Sequence, residues 1–116
     1  MTETTKVWRE YHEGPWGQVH MRRAAPVGQP AGETTLVLLH ESPLSSRVWE
    51  RMLPFSGAHR SVIATDTPGY GLSDPPGEQG HEIPEYAAVL LEALTNAGVG
   101  NMDVAGVHTG ASIAVE

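Results

Sequence analysis

Short apolar runs alternate with helix-period stretches along this chain of 116 residues, and that alternation predicts an α/β architecture. Val7–His12 alternates, breaks at Gly14-Pro15 and resumes over Gln18–Arg23, which predicts an antiparallel hairpin. Ala25–Thr34 is rich in Pro and Gly and is expected to be a loop. Leu36-Val37-Leu38-Leu39 is uninterrupted apolar sequence, the mark of a strand covered on both faces. Ser45 or Ser46 can cap a short helix through Leu53, with Val48, Trp49, Met52 and Leu53 on one face. Pro54 is expected to end it. Val62-Ile63-Ala64 is a second buried strand that runs into Asp66. Thr67–Gly80, with three of the nine Pro and four of the thirteen Gly, is expected to be a long loop.

Pro84 suits the first turn of the next helix. Tyr86, Val89, Leu90, Ala93, Leu94 and Ala97 then fall on one helical stripe, which predicts an amphipathic helix facing the core. Gly98 is its expected stop. Met102–Ala105 reads as a third buried strand, Gly106–Gly110 as a tight turn, and Ala111–Glu116 as the start of a small-residue helix.

Composition narrows the function classes. The formal charge is −7, from 14 acidic and 7 basic residues, with a single lysine. A nucleic-acid binder is expected to carry a basic stripe, so no nucleic-acid partner is expected. There are no cysteines, which excludes disulfides and thiolate metal sites. Met1–Glu10 lacks an apolar signal core and no stretch approaches membrane-span length, so the expectation is a soluble, cytoplasmic protein without a membrane partner. His12, His20, His40, His59, His81 and His108 show no metal-ligand spacing, and no metal is expected.

Three motifs could carry chemistry. His40-Glu41-Ser42-Pro43 follows the strand Leu36–Leu39, at the carboxyl end where open α/β sheets place ligand-binding backbone. A backbone N–H there could stabilise an oxyanion, although the same residues also suit an ordinary strand-to-helix turn. Asp66-Thr67-Pro68-Gly69-Tyr70-Gly71-Leu72-Ser73-Asp74 follows the second buried strand. A GTPase would need an upstream Gly-rich phosphate cradle ending in Lys, whereas the only lysine is Lys6. The direct role expected for Asp66, Gly69 and Gly71 is to shape the turn. Gly106-Val107-His108-Thr109-Gly110 joins a strand to a helix, with small residues at both ends that allow a sharp reversal. This is the frame of the nucleophile elbow, with His108 where Ser is usual. The centre of such a turn is strained and usually at positive φ, which His tolerates better than most residues. Ser112, four residues on, is expected to pack or cap locally. Asp103 is assigned no catalytic role, and Trp8, Trp16 and Trp49 are expected to pack.

In this order, the three motifs make the chain, over roughly Val7 to Glu116, resemble the amino-terminal half of the α/β-hydrolase superfamily, in a subgroup with His in place of the elbow Ser. The resemblance implies an α/β-hydrolase fold whose antiparallel first hairpin is followed by parallel strands with crossover helices. It implies that Ser42 and Thr109 present the oxyanion-hole N–H groups and that His108 holds the nucleophile position. His40, Pro43, Asp66, Gly69, Gly71, Gly106 and Gly110 would be structural. Glu41 departs from the pattern by adding a negative charge beside the proposed hole.

The resemblance also places a catalytic acid, a final His, a lid and further strands after the elbow, beyond residue 116. Residues 1–116 are accordingly expected to form one partial domain and an inactive fragment. The strand Met102–Ala105 would then be an exposed edge, which favours pairing with another chain. The parent is expected to be a hydrolase of a small ester or other carbonyl substrate, without a cofactor. The alternative is a non-hydrolytic protein of the same fold: a pseudoenzyme or binding protein, or one using His108 in lyase or oxygenase-type chemistry. His108 itself stays open between nucleophile, general base and an inert role.

Overall fold

A computed structural model describes residues 5–28, 34–77 and 81–116 of the chain. Strands β1 (Thr5–Gly14) and β2 (Gly17–Pro26) form the expected antiparallel hairpin. Both are longer than the alternating segments, so β2 takes in the start of the Pro- and Gly-rich stretch; residues 29–33 of that stretch lie outside the described residues. Strands β3 (Thr34–Leu39), β4 (Val62–Thr65) and β5 (Asn101–Gly106) pair in parallel, and β2 joins β4 antiparallel. The sheet order is β1-β2-β4-β3-β5.

Period-two alternation divides the core between the two faces of this sheet. Val37 and Leu39 of β3, Ile63 of β4 and Met21 of β2 pack on one face with Leu90, Ala93 and Leu94 of helix α2 (Ile83–Asn96). Leu38, Val62 and Ala64 pack on the other with Leu53 and Trp49. Helix α2 follows its apolar stripe. Pro84 sits in its first turn, Glu82 and Glu85 form a reciprocal capping box, and Gly98 follows its end at φ 88°. Of the Thr67–Gly80 loop, residues 78–80 lie outside the described residues.

Two local expectations need correction. The single helix expected from Ser45 or Ser46 to Leu53 is a 3₁₀ turn, Ser46–Trp49, followed by a separate short helix α1, Leu53–Ser56. Ser45 does cap the 3₁₀ turn, its hydroxyl accepting from the Arg47 N–H. Pro54 does not end a helix. It sits in the first turn of α1, where its missing N–H costs nothing. Splitting the segment rotates Val48 and Met52 out to 45% and 40% exposure, leaving Leu53 as the fully buried anchor.

The second correction concerns β5. Its apolar content reads as a buried strand, but in residues 1–116 it is the sheet edge that the resemblance led us to expect, its residues exposed or half-buried and Val104 40% exposed. Helix α3 (Thr109–Ala114) starts two residues earlier than its composition suggests. Among the described residues no helix is long and apolar enough to cross a membrane.

Candidate functional site

The turn from β5 into α3 has the geometry of an elbow. His108, at its centre, has φ 51° and ψ −113° and is exposed, a strained conformation for a residue with a side chain. The flanking glycines make it feasible. A Cβ on Gly106 would lie 2.3 Å from the Gly110 backbone, and a Cβ on Gly110 would lie 2.3 Å from the Leu39 carbonyl oxygen. The start of α3 is therefore pressed directly onto the end of β3. The Val107 N–H donates to Leu39 O at 3.2 Å and the Gly110 N–H to Val107 O at 2.9 Å, which closes the turn.

The loop after β3 is anchored from below by His40, which is 1% exposed. Its Nδ1 donates to Glu41 O at 2.8 Å and its Nε2 accepts from the Thr67 N–H at 2.9 Å. Accepting a backbone N–H requires a bare Nε2, so the bonds assign the neutral ring with its proton on Nδ1. His40 thus ties the His40–Pro43 loop to the Asp66–Asp74 loop.

Above it, the Ser42 N–H donates to Thr109 Oγ1 at 3.2 Å, and the Ser42 hydroxyl donates to Tyr70 Oη at 2.8 Å. The three sequence motifs thus meet at one place, Ser42 joining Tyr70 to Thr109 beside His108. The Ser42 N–H is engaged by the Thr109 side chain. The Thr109 N–H, at the start of α3, belongs to a first turn that has no intrahelical acceptor. Pro43, next in the loop, is exposed.

Asp66 organises the second loop. Its carboxylate, 1% exposed, accepts from the Ser46 N–H at 2.7 Å, from His20 Nδ1 at 2.8 Å and from the Leu72 N–H at 2.9 Å. Burial is the largest single influence on this carboxyl and raises its pKa. The bonds from Leu72, Ser46 and His20 together outweigh it and hold the pKa below its ordinary value. Gly71, at φ 53°, leaves the room that carboxylate occupies, since a Cβ there would lie 2.3 Å from Asp66 Oδ2. Gly69, in the same turn, is also at positive φ, 87°. Ser73 Oγ donates to Asp66 O at 2.7 Å and accepts the His20 N–H at 2.9 Å, which fastens the loop to β2.

Three participants had no site role expected from sequence: His20, Tyr70, and Ser46, which was expected only as a possible helix cap. His20 is 1% exposed because β2 is an interior strand covered on both faces, so Val19, His20 and Met21 are all buried. Its Nε2 is buried without a partner among the described residues. A polar residue flanked by two apolar ones in a strand gives no sign of this. Tyr70 had a weak signal, an aromatic residue between two glycines in a motif loop. Asp103, on the edge strand, pairs with Arg60 at 2.9 Å, away from these loops.

No family model matches the sequence. A stretch of 46 residues is 37% identical to an uncharacterized hydrolase of Saccharomyces cerevisiae, covering 40% of this chain and 16% of that protein. The fold is similar to the epoxide hydrolase CorEH (TM-score 0.81, 27% identity, 94% of this chain and 36% of that one). It is also similar to an epoxide hydrolase from an endophytic Streptomyces (TM-score 0.76, 25% identity, 94% and 32%). The haloalkane dehalogenase DbeA of Bradyrhizobium elkani shares the fold at 22% identity (TM-score 0.78, 94% and 36%). The chain spans about a third of the length of these structures. Sheet order, elbow and loop motifs together place the chain in the α/β-hydrolase superfamily, carrying the amino-terminal portion of its fold.

Proposed function

We propose that the loops after β3 and β5 form the amino-terminal half of a hydrolase-like site, and that the parent domain acts on a small, uncharged ester or other carbonyl substrate. The observation that carries this is His108, held exposed at φ 51° beside the Ser42–Thr109 contact. Its imidazole serves there as nucleophile or general base. Rotating the Thr109 side chain releases the Ser42 N–H, and the N–H groups of Ser42 and Thr109 then clamp the substrate oxygen as negative charge develops. Residues 1–116 alone, without a downstream acid and His, are proposed to be inactive.

The test uses 4-nitrophenyl acetate, with styrene oxide and a bromoalkane as further arms because epoxide hydrolases and haloalkane dehalogenases share the fold. The 116-residue chain is expected to react no faster than free imidazole at equal concentration. Faster turnover that disappears in H108A would overturn the inactive-fragment reading. In a longer protein from an extended reading frame, H108A is expected to abolish turnover, and unchanged turnover would remove His108 from the mechanism.

A second reading, a binding protein or a non-hydrolytic enzyme, draws on one feature. The Ser42 N–H that an oxyanion would need already has an acceptor in Thr109. Saturable ester binding by the longer protein without turnover would favour the binding protein.

A further inference from the structure

Charge is unevenly placed in this acidic chain. Four of its seven basic residues, Lys6, Arg9, Arg22 and Arg23, lie on the β1–β2 hairpin, which holds only Glu10 and Glu13 of the fourteen acids. Arg23 is accounted for. Its Nη1 donates to Glu10 Oε1 at 3.2 Å and its guanidinium lies 5.5 Å from the centre of the Trp8 ring. Lys6 lies over the same ring at 5.1 Å.

Arg9 and Arg22 have no such partners. The hairpin register sets them directly opposite one another, and among the described residues no carboxylate forms an ion pair with either. Directly opposed residues on antiparallel strands have Cβ atoms about 5 Å apart, and like charges there destabilise the pair. The arrangement is nonetheless fixed at its base. Arg22 Nε donates to Ser46 Oγ at 3.1 Å, and fully buried Ser46 donates its N–H to Asp66. Arg9 is exposed. Two positions either side of it along β1, on the same face, are Val7 and Tyr11, 45% and 48% exposed.

We propose that Arg9 and Arg22 bind the dianion of a phosphomonoester whose organic group rests on Val7 and Tyr11. Each guanidinium carries one positive charge and a planar set of donors, and with its Nε held by Ser46, Arg22 keeps its two Nη groups for a ligand. A phosphate dianion offers three oxygens and matches both guanidiniums. A monocarboxylate satisfies one fork and leaves the other charge unbalanced. The exposed Tyr11 ring and Val7 side chain favour an ester carrying an apolar or aromatic group over inorganic phosphate.

Thermal unfolding of the 116-residue chain with phenyl phosphate, inorganic phosphate, acetate, and sodium chloride at matched ionic strength tests this. Phenyl phosphate at tenfold above its Kd is expected to raise Tm by roughly 5 °C, with a weaker Kd for inorganic phosphate. R9Q is expected to lose the shift, and R9K, which keeps the charge but not the fork, to retain a fraction of it. Without phosphate at low ionic strength, R9Q alone is expected to raise Tm, because it removes the opposed charge. An equal phenyl phosphate shift in R9Q, or acetate acting as strongly as phosphate, would overturn the site. Equal Kd values for inorganic and phenyl phosphate would overturn the role of Val7 and Tyr11. A lower Tm for R9Q without phosphate would overturn the argument from charge opposition.

Discussion

Replacing Asp66 by Asn is the most informative single change, because it preserves shape and alters only what the carboxylate accepts. Three N–H donors converge on that carboxylate, from Ser46, His20 and Leu72. An Asn has one acceptor oxygen and an NH₂ group. With the oxygen toward Ser46, the NH₂ faces both His20 Nδ1 and the Leu72 N–H. With the amide flipped, the NH₂ faces the Ser46 N–H. His20 could shift its proton to Nε2, but among the described residues that buried atom has no partner, so the shift only relocates the loss. At least one buried donor is orphaned in every arrangement, at about 1–3 kcal/mol, and the surviving bonds lose their charge assistance. D66N is therefore expected to lose about 2–5 kcal/mol, a large part of the roughly 5–15 kcal/mol typical of a domain.

Urea unfolding followed by tryptophan fluorescence should show the midpoint falling by about 1–2 M, given a slope of roughly 1–3 kcal/mol per M. The pH dependence supplies an internal check. Because the folded pKa lies below the ordinary value of 3.8, the Asp66 contribution is complete above that value and is lost as pH falls through the folded pKa. The gap between wild type and D66N should accordingly be constant from neutral pH down to about 5, then narrow in acid. A loss under about 1 kcal/mol at neutral pH, or a gap that widens in acid, would refute the account of Asp66 as the hub of these loops.

Other changes probe the elbow and the sheet edge. G110A drives a Cβ to 2.3 Å from the Leu39 carbonyl oxygen and 2.7 Å from that of His40. Backbone cannot yield there as a side chain would, so a loss near 3 kcal/mol is expected in the same urea assay, and a neutral result would show that α3 does not sit on β3. H108G removes strain of about 1–3 kcal/mol at φ 51° and adds back about 0.5–1 kcal/mol of glycine entropy. A gain of about 1 kcal/mol is expected, and a clear loss would mean that the imidazole makes a stabilising contact. V104K places a charge on the exposed edge strand β5 and is expected to reduce concentration-dependent association, measured by light scattering. Unchanged scattering would show that association does not use that edge.

Elements governed by local rules were legible in the sequence. The apolar runs of β3 and β4 became interior strands, and the stripe from Tyr86 to Ala97 became α2 with Pro84 and Gly98 at its limits. The spacing of Gly106 and Gly110 anticipated the elbow and the positive φ of His108. Where the sequence misled, a competing local rule had won. Pro54 breaks a helix interior and also starts a helix, and here it starts one. Apolar content alone made Met102–Ala105 look buried, because it reports what a strand could cover and not what lies beside it, whereas the motif order led to the exposed edge that is seen. Alternation in Gln18–Arg23 predicted the hairpin but not that pairing with β4 would put His20 inside.

Periodicity, capping and the steric limits of glycine and proline act over a few residues, so the sequence by itself determined most of the elements, their order and the strained turn at His108, but not the split of the segment from Ser46 to Ser56. Which side chains meet was decided by the sheet. The order β1-β2-β4-β3-β5 brings residues 20, 46 and 72 around the carboxylate of Asp66. It also lays the end of β3 beside the elbow, so that Ser42 reaches both Tyr70 and Thr109. A hydrogen bond needs its two atoms within about 3 Å, and only the packed tertiary structure brings residues this distant in the chain within that range.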